Sequence, residues 1–496
     1  MRRAAILGAI GAVAGAVIGL GIAAGWTEGR KGAPEAIGPL PTAEQIAWQE
    51  DEVWAFVHFG PNTFSDSEWG YGDADPAVFN PTALDCGQWV RTFEAAGIKG
   101  VILTAKHHDG FCLWPSAFTD YSVAASPYKD GRGDVVGELA RACKEHGLKF
   151  GVYLSPWDRH QASYGTSDYV RYYQNQLREL LTNYGTVSEV WLDGANGGDG
   201  WYGGARETRT IDRRTYYHFP AIHAIVRELQ PGAVIFSDGG PGCRWVGNER
   251  GVASETNWSF LRDGVVYPGY PFERELGPGH EDGDVWVPAE CDVSIRRGWF
   301  YHPEEDDAVK TPEQLAELYY RSVGRNGKLL INFPVDRDGL IHPKDSVSAV
   351  EAHRIVSGHL GNDLLAGARV RASETRGLRY RASRVSDARP ATFWAPKDGT
   401  LEASLVFTLK KKKTLDRVLL QENIALGQRV KSFTIEYYDG SDWHPVPTQE
   451  QMTTIGYKRI IRFDPVEAAA LRVTIEDARA CPCISTVQAF MAGASL

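Results

Sequence analysis

Residues 100–109 read GVILTAKHHD, an apolar run of strand length that ends in polar side chains. The same order recurs at residues 54–60 (WAFVHFG) and 187–193 (VSEVWLD). In α/β barrels the functional site is built on the loops that follow the carboxyl ends of the strands. The polar residues that follow these runs are therefore the first candidates for a functional site.

Outward from these stretches, short apolar segments alternate with longer amphipathic ones, which is typical of repeated β-strand and α-helix units. The predicted strands are Trp54–Phe59, Gly100–Thr104, Lys149–Leu154, Val187–Leu192, Ala233–Ser237, Gly251–Ser254, Val285–Glu290 and Leu329–Phe333. The predicted helices include Cys86–Ala96, Val135–His146, Asp168–Asn183, Arg214–Leu229 and Pro312–Gly324. Eight strands favour closure, so we predict an α/β fold with a (β/α)8-type barrel over residues 42–360.

The pattern changes after about Ala366 to short alternating strands separated by turns. These strands are predicted at Ser404–Leu409, Arg417–Gln421, Ser432–Tyr438, Arg459–Phe463 and Ala470–Ile475. They fit an antiparallel β-sandwich, so we predict a smaller all-β domain over residues 366–496. The basic run Lys410–Lys413 is interpreted as a solvated turn at a strand end.

The N-terminus has the features of an export signal. Arg2 and Arg3 precede a charge-free apolar run from Ala4 to Ala24. This run suits a signal peptide and is almost long enough for an uncleaved membrane anchor. We therefore predict that residues 1–30 export the protein, as a periplasmic, secreted or membrane-anchored form. Contact with a membrane is expected only if the segment stays uncleaved.

The composition excludes several classes of protein. The 496 residues carry 63 acidic and 53 basic side chains, a formal net charge of −10. Such a field repels polyanions and gives no footprint for nucleic acid. The 43% hydrophobic content excludes a disordered chain. The seven cysteines are too sparse for a disulfide scaffold. We expect a folded protein whose partner is neutral or small.

Carboxyl groups near predicted strand ends suit a reaction in which one carboxylate attacks an activated carbon and a second carboxyl gives up its proton. Asp193 is the leading nucleophile, because it enters the glycine-rich loop GANGG (194–198) that lets a substrate approach closely. The alternative for Asp193 is a turn or a helix cap. Glu249, Glu255 and Glu290 all remain candidates for the proton donor, since spacing does not choose among them.

Several motifs together resemble one enzyme family. They are FVHFG (56–60), EW (68–69), LTAKHHDGF (103–111), GVYLS (151–155), EVWLDG (189–194) and WVGNE (245–249). Over residues 42 to about 360 the sequence resembles the α-L-fucosidases of glycoside hydrolase family 29. The C-terminal part resembles a discoidin-type carbohydrate-binding sandwich. Residues 286–296 (WVPAECDVSIR) further resemble the subgroup that prefers α-1,3/1,4-linked fucose in branched glycans.

The resemblance implies a retaining exo-glycosidase that removes terminal fucose from an oligosaccharide or glycoconjugate glycan, with no metal and no cofactor. Asp193 would attack the anomeric carbon and form a covalent fucosyl-enzyme. Glu249 would first protonate the aglycone oxygen and then activate water. Roles in substrate binding are implied for His58, Glu68, Trp69, His107, His108, Tyr153, Trp191 and Arg244.

Two residues near the implied acid depart from the pattern of the family. Cys243 stands where a more polar residue is expected before Arg244, and Arg250 directly follows Glu249. A cation in contact with Glu249 would lower the pKa of its carboxyl, whereas a proton donor needs a raised pKa. The assignment of the acid therefore depends on where Arg250 points.

Two alternative functions use the same residues. A metal-dependent barrel hydrolase would take His58, His107, His108, Asp109 and Asp193 as ligands. Against it, the adjacent His107 and His108 would point to opposite faces of an extended strand. A non-catalytic carbohydrate-binding surface protein is expected to lack one catalytic carboxyl, and both are present.

Overall fold

A computed structural model describes residues 32–387, 389 and 391–492, which form two domains. The predicted export segment, residues 1–30, lies outside the described residues. Within the described ranges, no helix is both long enough and apolar enough to cross a membrane.

The first domain is a closed barrel of eight parallel strands, as predicted. Its strands are β1 (Val53–Val57), β2 (Gly100–Lys106), β3 (Lys149–Leu154), β4 (Glu189–Trp191), β5 (Val234–Ser237), β6 (Cys243–Trp245), β7 (Ala289–Ser294) and β8 (Gly327–Asn332). Around the barrel the order is β1-β8-β7-β6-β5-β4-β3-β2, with β1 paired to both β2 and β8. Because neighbouring strands run parallel, their carboxyl ends meet at one rim.

Two strands differ from the sequence prediction. The sixth barrel strand is β6, Cys243–Trp245, and residues 251–254, predicted for that position, form no strand. β6 is three residues long and has an arginine at its centre, so its hydropathy does not reveal it. β7 begins at Ala289, whereas Val285–Trp286 form a separate antiparallel pair with Phe260–Leu261.

Helices cover the outside of the barrel. Thr42 and Thr311 precede the helices Ala43–Glu50 and Pro312–Ser322 and form capping boxes, in which the threonine and a glutamine three residues later exchange hydrogen bonds. The helix Phe219–Leu229 begins five residues after its predicted start, because Pro220 lacks an N–H and suits only the first turn of a helix. The described helices of eight or more residues are α1 (Ala43–Glu50), α2 (Cys86–Ala95), α3 (Val135–His146), α4 (Ser167–Asn183), α5 (Phe219–Leu229), α6 (Pro312–Ser322) and α7 (Pro343–Leu360), and a shorter one, Pro61–Ser65, follows β1. The sequence pattern does not predict α1 or α7.

Aromatic side chains fill the barrel interior below its open rim. Trp191 stacks on Phe236 with ring centroids 3.9 Å apart, and its ring lies 5.3 Å from that of Tyr153. A second layer between the strands and the helices forms one continuous core that includes Trp89 and Leu177. The interior is thus a packed floor, and a ligand can enter only at the rim.

The second domain is an antiparallel all-β sheet folded around its own core, as predicted. Its strands are β9 (Arg369–Ala372), β10 (Ala403–Glu422), β11 (Val430–Tyr438), β12 (Trp443–Pro445), β13 (Arg459–Ala478) and β14 (Ile484–Phe490). The strand order is β9-β10-β13-β11-β12, and β14 pairs with the second half of β10. The two long strands, β10 and β13, have 20 residues each, and their pairing shifts register part-way along, so both contribute to each half of the sheet.

The basic run Lys410–Lys413 lies inside β10, so the prediction of a turn is wrong. The run occupies the shift in register between Thr408 and Lys413, where the ladder to β13 is interrupted. The side chains of residues 410–412 are exposed there. A bulge of this kind lets a strand carry solvated cations without ending.

Polar contacts join the two domains. Gln428 of the second domain is fully buried. Its Oε1 accepts a hydrogen bond from Ser259 N at 2.8 Å, and its Nε2 donates to Asn257 O at 3.0 Å. Arg462 forms an ion pair with Glu317 of α6. Buried backbone groups of the barrel domain therefore depend on the second domain for their hydrogen bonds.

Replacing Gln428 with leucine is expected to destabilise the full chain by about 2 kcal/mol, because the buried Ser259 N–H loses its partner, which costs roughly 1–3 kcal/mol, whereas Asn257 O keeps its bond from Asn326 Nδ2. Thermal unfolding measures the change. Gln449→Leu is the matched control, since Gln449 is exposed in the same domain. Equal unfolding midpoints for the two variants would contradict the interpretation of the interface.

Candidate active site

A cavity with a volume of about 610 Å³ opens at the carboxyl-terminal rim of the barrel. A smaller cavity of about 390 Å³ lies at the opposite end, beside α7, and is lined by none of the predicted site residues. The rim cavity brings together most of them, namely His58, Trp69, His107, His108, Tyr153, Trp191, Asp193 and Glu249.

Asp193 follows β4 directly and points its carboxylate into the cavity. Its Oδ2 accepts a hydrogen bond from Tyr153 Oη at 2.9 Å, and its Oδ1 accepts one from Ala195 N at 2.7 Å. His108 Nε2 lies 3.9 Å from Oδ2. Two hydrogen bonds thus hold the Asp193 carboxylate, while its side chain remains partly exposed to the cavity.

His58 is held as a neutral imidazole at the end of β1. The Asn332 amide nitrogen donates to Trp299 O at 2.8 Å, which leaves Asn332 Oδ1 as the acceptor for His58 Nδ1–H at 2.8 Å. Burial lowers the pKa of His58 to about 3. The Nε2 atom of His58 is therefore a hydrogen-bond acceptor at neutral pH.

His108 has the same tautomer as His58. Ser155 Oγ donates to Trp157 O at 2.6 Å and so accepts from His108 Nδ1–H at 2.7 Å, which leaves His108 Nε2 as an acceptor. Burial lowers the pKa of both His107 and His108. His107 Nδ1 is buried with no partner among the described residues. The neutral His58 and His108 thus keep their Nε2 atoms as acceptors for hydroxyl groups, because their N–H groups are already bonded within the protein.

Glu249 lies on the loop after β6, at the rim of the cavity. Asn248 closes this loop by donating from Nδ2 to the carbonyl four residues later. Glu249 Oε2 accepts a hydrogen bond from Trp299 Nε1 at 3.4 Å. Partial burial raises the pKa of Glu249, the charge of Asp193 adds to this effect, and the bond from Trp299 opposes it. A raised pKa is what a proton donor needs.

The two departures from the family pattern do not disturb this acid. Arg250 forms no ion pair with Glu249 within the described residues, and its backbone N–H donates to Asn248 Oδ1 instead. Cys243 is fully buried below the rim, where its thiol donates to Glu189 Oε1 at 3.7 Å. The pKa of Glu249 is therefore raised and not lowered.

Glu290 lies beneath the cavity floor and not in the cavity. Its Oε1 accepts a hydrogen bond from Trp191 Nε1 at 3.0 Å, and its Oε2 lies 3.6 Å from Lys328 Nζ. Burial raises the pKa of Glu290 well above its usual range, and the charge of Glu189 adds to this. Burial therefore favours the protonated form of Glu290, and its role here is to hold Trp191.

Glu255 belongs to the domain interface. Its Oε1 accepts from Arg325 Nη2 at 3.0 Å, and its Oε2 accepts from the backbone N–H of Gln451 at 3.0 Å. Both carboxylate oxygens are thus engaged outside the cavity. Of the candidates left open by the sequence, Glu249 alone lines the cavity.

Glu68 lies behind the cavity wall. Its carboxylate accepts hydrogen bonds from the backbone N–H groups of Trp299 and Phe300, at 2.8 and 3.2 Å. His302 Nε2 lies 2.7 Å from the same carboxylate. In this structure Glu68 fixes the segment that carries Trp299, while its neighbour Trp69 stands exposed at the cavity mouth.

The predicted substrate contact of Arg244 is corrected by the structure. Its side chain is fully buried on β6 and does not line the cavity. It donates to Leu276 O at 3.0 Å, to Val287 O at 2.6 Å and to Asn257 Oδ1 at 2.9 Å. These bonds satisfy a buried guanidinium, so Arg244 organises the loops behind the cavity wall.

Among the cavity residues that the sequence did not predict are two buried carboxyls and a tryptophan: Asp238, Asp292 and Trp299. Burial raises the pKa of Asp238 to about 7. Burial also raises the pKa of Asp292 well above its usual range. Asp238 directly follows β5, so the rule that found Asp193 could have found it. Asp292 lies inside β7, and Trp299 comes from a later loop with no local signal.

The residues of the metal hypothesis do not form one cluster. No three of them place donor atoms within 4.8 Å of one another in the described part of the chain. Asp109 instead caps its own turn, accepting from Phe111 N at 3.3 Å. Of these residues, His108 and Asp193 approach each other to 3.9 Å, between Nε2 and Oδ2.

Comparison with known proteins identifies the family. The family model described as Alpha-L-fucosidase matches residues 30–351, which is more than half of the chain. The chain belongs to the alpha-L-fucosidase family. It is accordingly a glycoside hydrolase that acts as an α-L-fucosidase. A second model, described as F5/8 type C domain, matches residues 369–486, within the all-β domain.

Relatives cover both domains. Alpha-L-fucosidase 1 of Arabidopsis thaliana is 43% identical over 470 residues, which covers 92% of this chain and 88% of the relative. A solved glycoside hydrolase 29 family member from an unknown rumen bacterium has a TM-score of 0.84 at 46% identity, covering 93% of this chain and 79% of that one. A Ruminococcus gnavus GH29 fucosidase in complex with fucose has a TM-score of 0.82 at 32% identity, covering 94% and 97%.

Glu290→Gln is expected to change both the unfolding midpoint and the activity on an aryl fucoside very little. A neutral amide replaces a neutral carboxyl, and its oxygen still accepts from Trp191. Glu189→Gln is the contrasting variant, because it removes the carboxylate 3.0 Å from the buried Lys328. That loss is expected to cost about 3–5 kcal/mol. Equal destabilisation of the two variants would show that Glu290 is ionised.

Proposed function

We propose that the rim cavity is the active site of a retaining exo-α-L-fucosidase, with Asp193 as nucleophile and Glu249 as general acid and base. The observation that carries this proposal is the placement of two carboxyls with different environments in one cavity. Asp193 accepts hydrogen bonds that orient its carboxylate, whereas burial raises the pKa of Glu249. Because the two carboxyls lie in different environments, we assign the hydrogen-bonded Asp193 as the nucleophile and Glu249, whose pKa is raised, as the acid.

In the first step an Asp193 oxygen attacks the anomeric carbon of fucose. Glu249 gives its proton to the glycosidic oxygen as the bond to the aglycone breaks. The products are an ester between fucose and Asp193, a free aglycone hydroxyl and an ionised Glu249. The raised pKa of Glu249 supports its protonated form at the start of this step.

In the second step the ionised Glu249 takes a proton from water as that water attacks the anomeric carbon. The ester bond to Asp193 breaks, fucose leaves, and both carboxyls return to their starting states. Two displacements at one carbon restore its configuration. The hydrogen bond that Tyr153 donates to Asp193 stabilises the negative charge that returns to the carboxylate as it leaves.

The cavity suits a terminal fucose. Trp191 and Phe236 close its floor, so a sugar within a chain could not pass through. The neutral His58 and His108 provide Nε2 acceptors for substrate hydroxyl groups, and the neutral His107 lines the same cavity. Trp69 provides an aromatic face at the mouth, with its ring 5.2 Å from that of His108. The Ruminococcus gnavus relative with bound fucose supports this choice of sugar.

The remaining parts of the chain have roles that follow from the same proposal. We assign the all-β domain to carbohydrate binding, which its match to the F5/8 type C family model supports. We assign export to residues 1–30, on the basis of their sequence. The substrate is a fucosylated oligosaccharide or glycoconjugate glycan.

Asp193→Ala is expected to lower turnover of every fucoside by more than about a thousandfold, because no covalent intermediate forms without the nucleophile. Glu249→Ala is expected to slow natural oligosaccharides much more than aryl fucosides in the first step, since a good leaving group needs no proton. Steady-state and burst kinetics on both substrate types measure these effects.

Azide separates the two roles further. It should accelerate Glu249→Ala and yield a fucosyl azide of retained configuration, because an anionic nucleophile needs no base. With Asp193→Ala it should instead yield the inverted product from the vacated carboxylate space. Product configuration is measured by nuclear magnetic resonance. Azide rescue with retention in Glu255→Ala or Glu290→Ala, but not in Glu249→Ala, would assign the acid elsewhere.

The linkage preference is proposed from residues 286–296, which include Asp292 in the cavity wall. We expect kcat/KM for α-1,3- and α-1,4-fucosylated branched oligosaccharides to exceed that for α-1,2-linked fucose by about tenfold or more, a difference of about 1.4 kcal/mol in transition-state binding. Released fucose is measured over a matched panel. Equal or faster release from the α-1,2 substrate would refute the preference.

A further inference from the structure

We infer that Asp238 is a positioning residue for the aglycone: together with Arg213 it fastens residues 267–273, the wall loop, across the cavity from the barrel floor. The inference rests on the proposed role of Glu249, because that role defines the side of the cavity on which the aglycone lies. Asp238 lines the cavity, yet no step of the mechanism uses it.

The wall loop is fastened at a single glycine from two sides. Gly269 N donates to Asp238 Oδ2 at 2.5 Å, and Gly269 O accepts from Arg213 Nη1 at 2.9 Å. Asp238 is buried at the end of β5, whereas Arg213 is exposed on the segment that precedes α5. Two side chains from different parts of the barrel thus fix the two peptide units on either side of Gly269.

Gly269 packs directly against the loop that carries the nucleophile. Its φ of 78° is in the left-handed region that favours glycine. A side chain at this position would also meet Asn196 Nδ2 at 2.7 Å and Gly194 O at 3.0 Å. The fastened glycine therefore keeps the wall loop in contact with residues that directly follow Asp193.

The other end of the wall loop touches the loop that carries Glu249. Any side chain at Gly247 would overlap the carbonyl oxygen of Glu273. Between these two contacts Tyr270 and Pro271 line the cavity, and the neighbouring Phe272 is 60% exposed. The loop thus presents an aromatic surface beside the acid, where the departing part of a branched substrate must lie.

The surroundings of Asp238 make an ionised carboxyl at this position unfavourable. Asp193 and Glu273 both place negative charge near Asp238, and burial further disfavours its ionised form. Burying such a group is costly unless it makes hydrogen bonds that the fold needs. The bond to Gly269 is one such bond, and a change that removes it should release the wall loop while the fucose pocket stays intact.

Asp238→Ala and the surface variant Arg213→Leu are the two tests, each measured with a branched fucosylated oligosaccharide and with an aryl fucoside. We expect kcat/KM for the oligosaccharide to fall about tenfold, mainly through KM, because a released loop no longer orients the aglycone. The aryl fucoside should lose much less, and inhibition by free fucose should keep its wild-type constant. Asp238→Asn should recover part of the loss, since its amide oxygen can still accept from Gly269.

Gly269→Ala and Gly264→Ala provide a matched pair on the same segment. Both glycines have a positive φ, but a side chain at Gly264 meets no atom within 4 Å. Gly269→Ala should reproduce the substrate-selective loss, and Gly264→Ala should not.

Two outcomes would overturn the inference. One is an equal loss on both substrates in Asp238→Ala, which would make Asp238 part of the chemistry. The other is an unchanged oligosaccharide KM in Arg213→Leu and Gly269→Ala. Failure of the proposed mechanism is distinguishable, because it appears as retained activity in Asp193→Ala.

Discussion

Closure of the barrel by the pairing of β1 with β8 is the constraint on which the rest of the structure depends. It forces eight parallel strands to end at one rim, so residues far apart in the chain meet there. His58 at the end of β1 and Asp193 after β4 share one cavity for this reason. Hydrogen bonds from neighbouring strands, such as the one from Tyr153, then fix their orientation.

A buried ionic layer supports the floor beneath these groups. The Lys328 ammonium lies 3.0 Å from Glu189 and 3.7 Å from the ring centroid of Trp54. Glu290, protonated beside them, holds the indole of Trp191. Buried charge of this kind is stable only when it is paired and hydrogen-bonded. The hydrogen bonds and ring contacts that stabilise this buried charge also fix the aromatic side chains of the floor, on which a sugar can rest.

Sequence predicted the two-domain architecture and most cavity residues, because apolar strands that end in polar residues mark one rim. It missed β6, whose buried arginine hides the strand from hydropathy. It could not separate Glu249 from Glu255 and Glu290, because a domain interface and a buried layer decide between them. Trp299 had no signal, since long-range hydrogen bonds of its backbone with Glu68 and Asn332 place it in the cavity.

The bonds that Gln428 makes to the barrel domain carry a geometric consequence. A sugar-binding module on a flexible tether samples a sphere and raises the local concentration of substrate in every direction. Here only eight residues separate α7 from β9, and buried hydrogen bonds fix the second domain against the first. Under the proposed role of that domain, a bound carbohydrate would lie in one direction and at one distance from the active-site mouth, so the enzyme would select glycans by the spacing between two of their sugars.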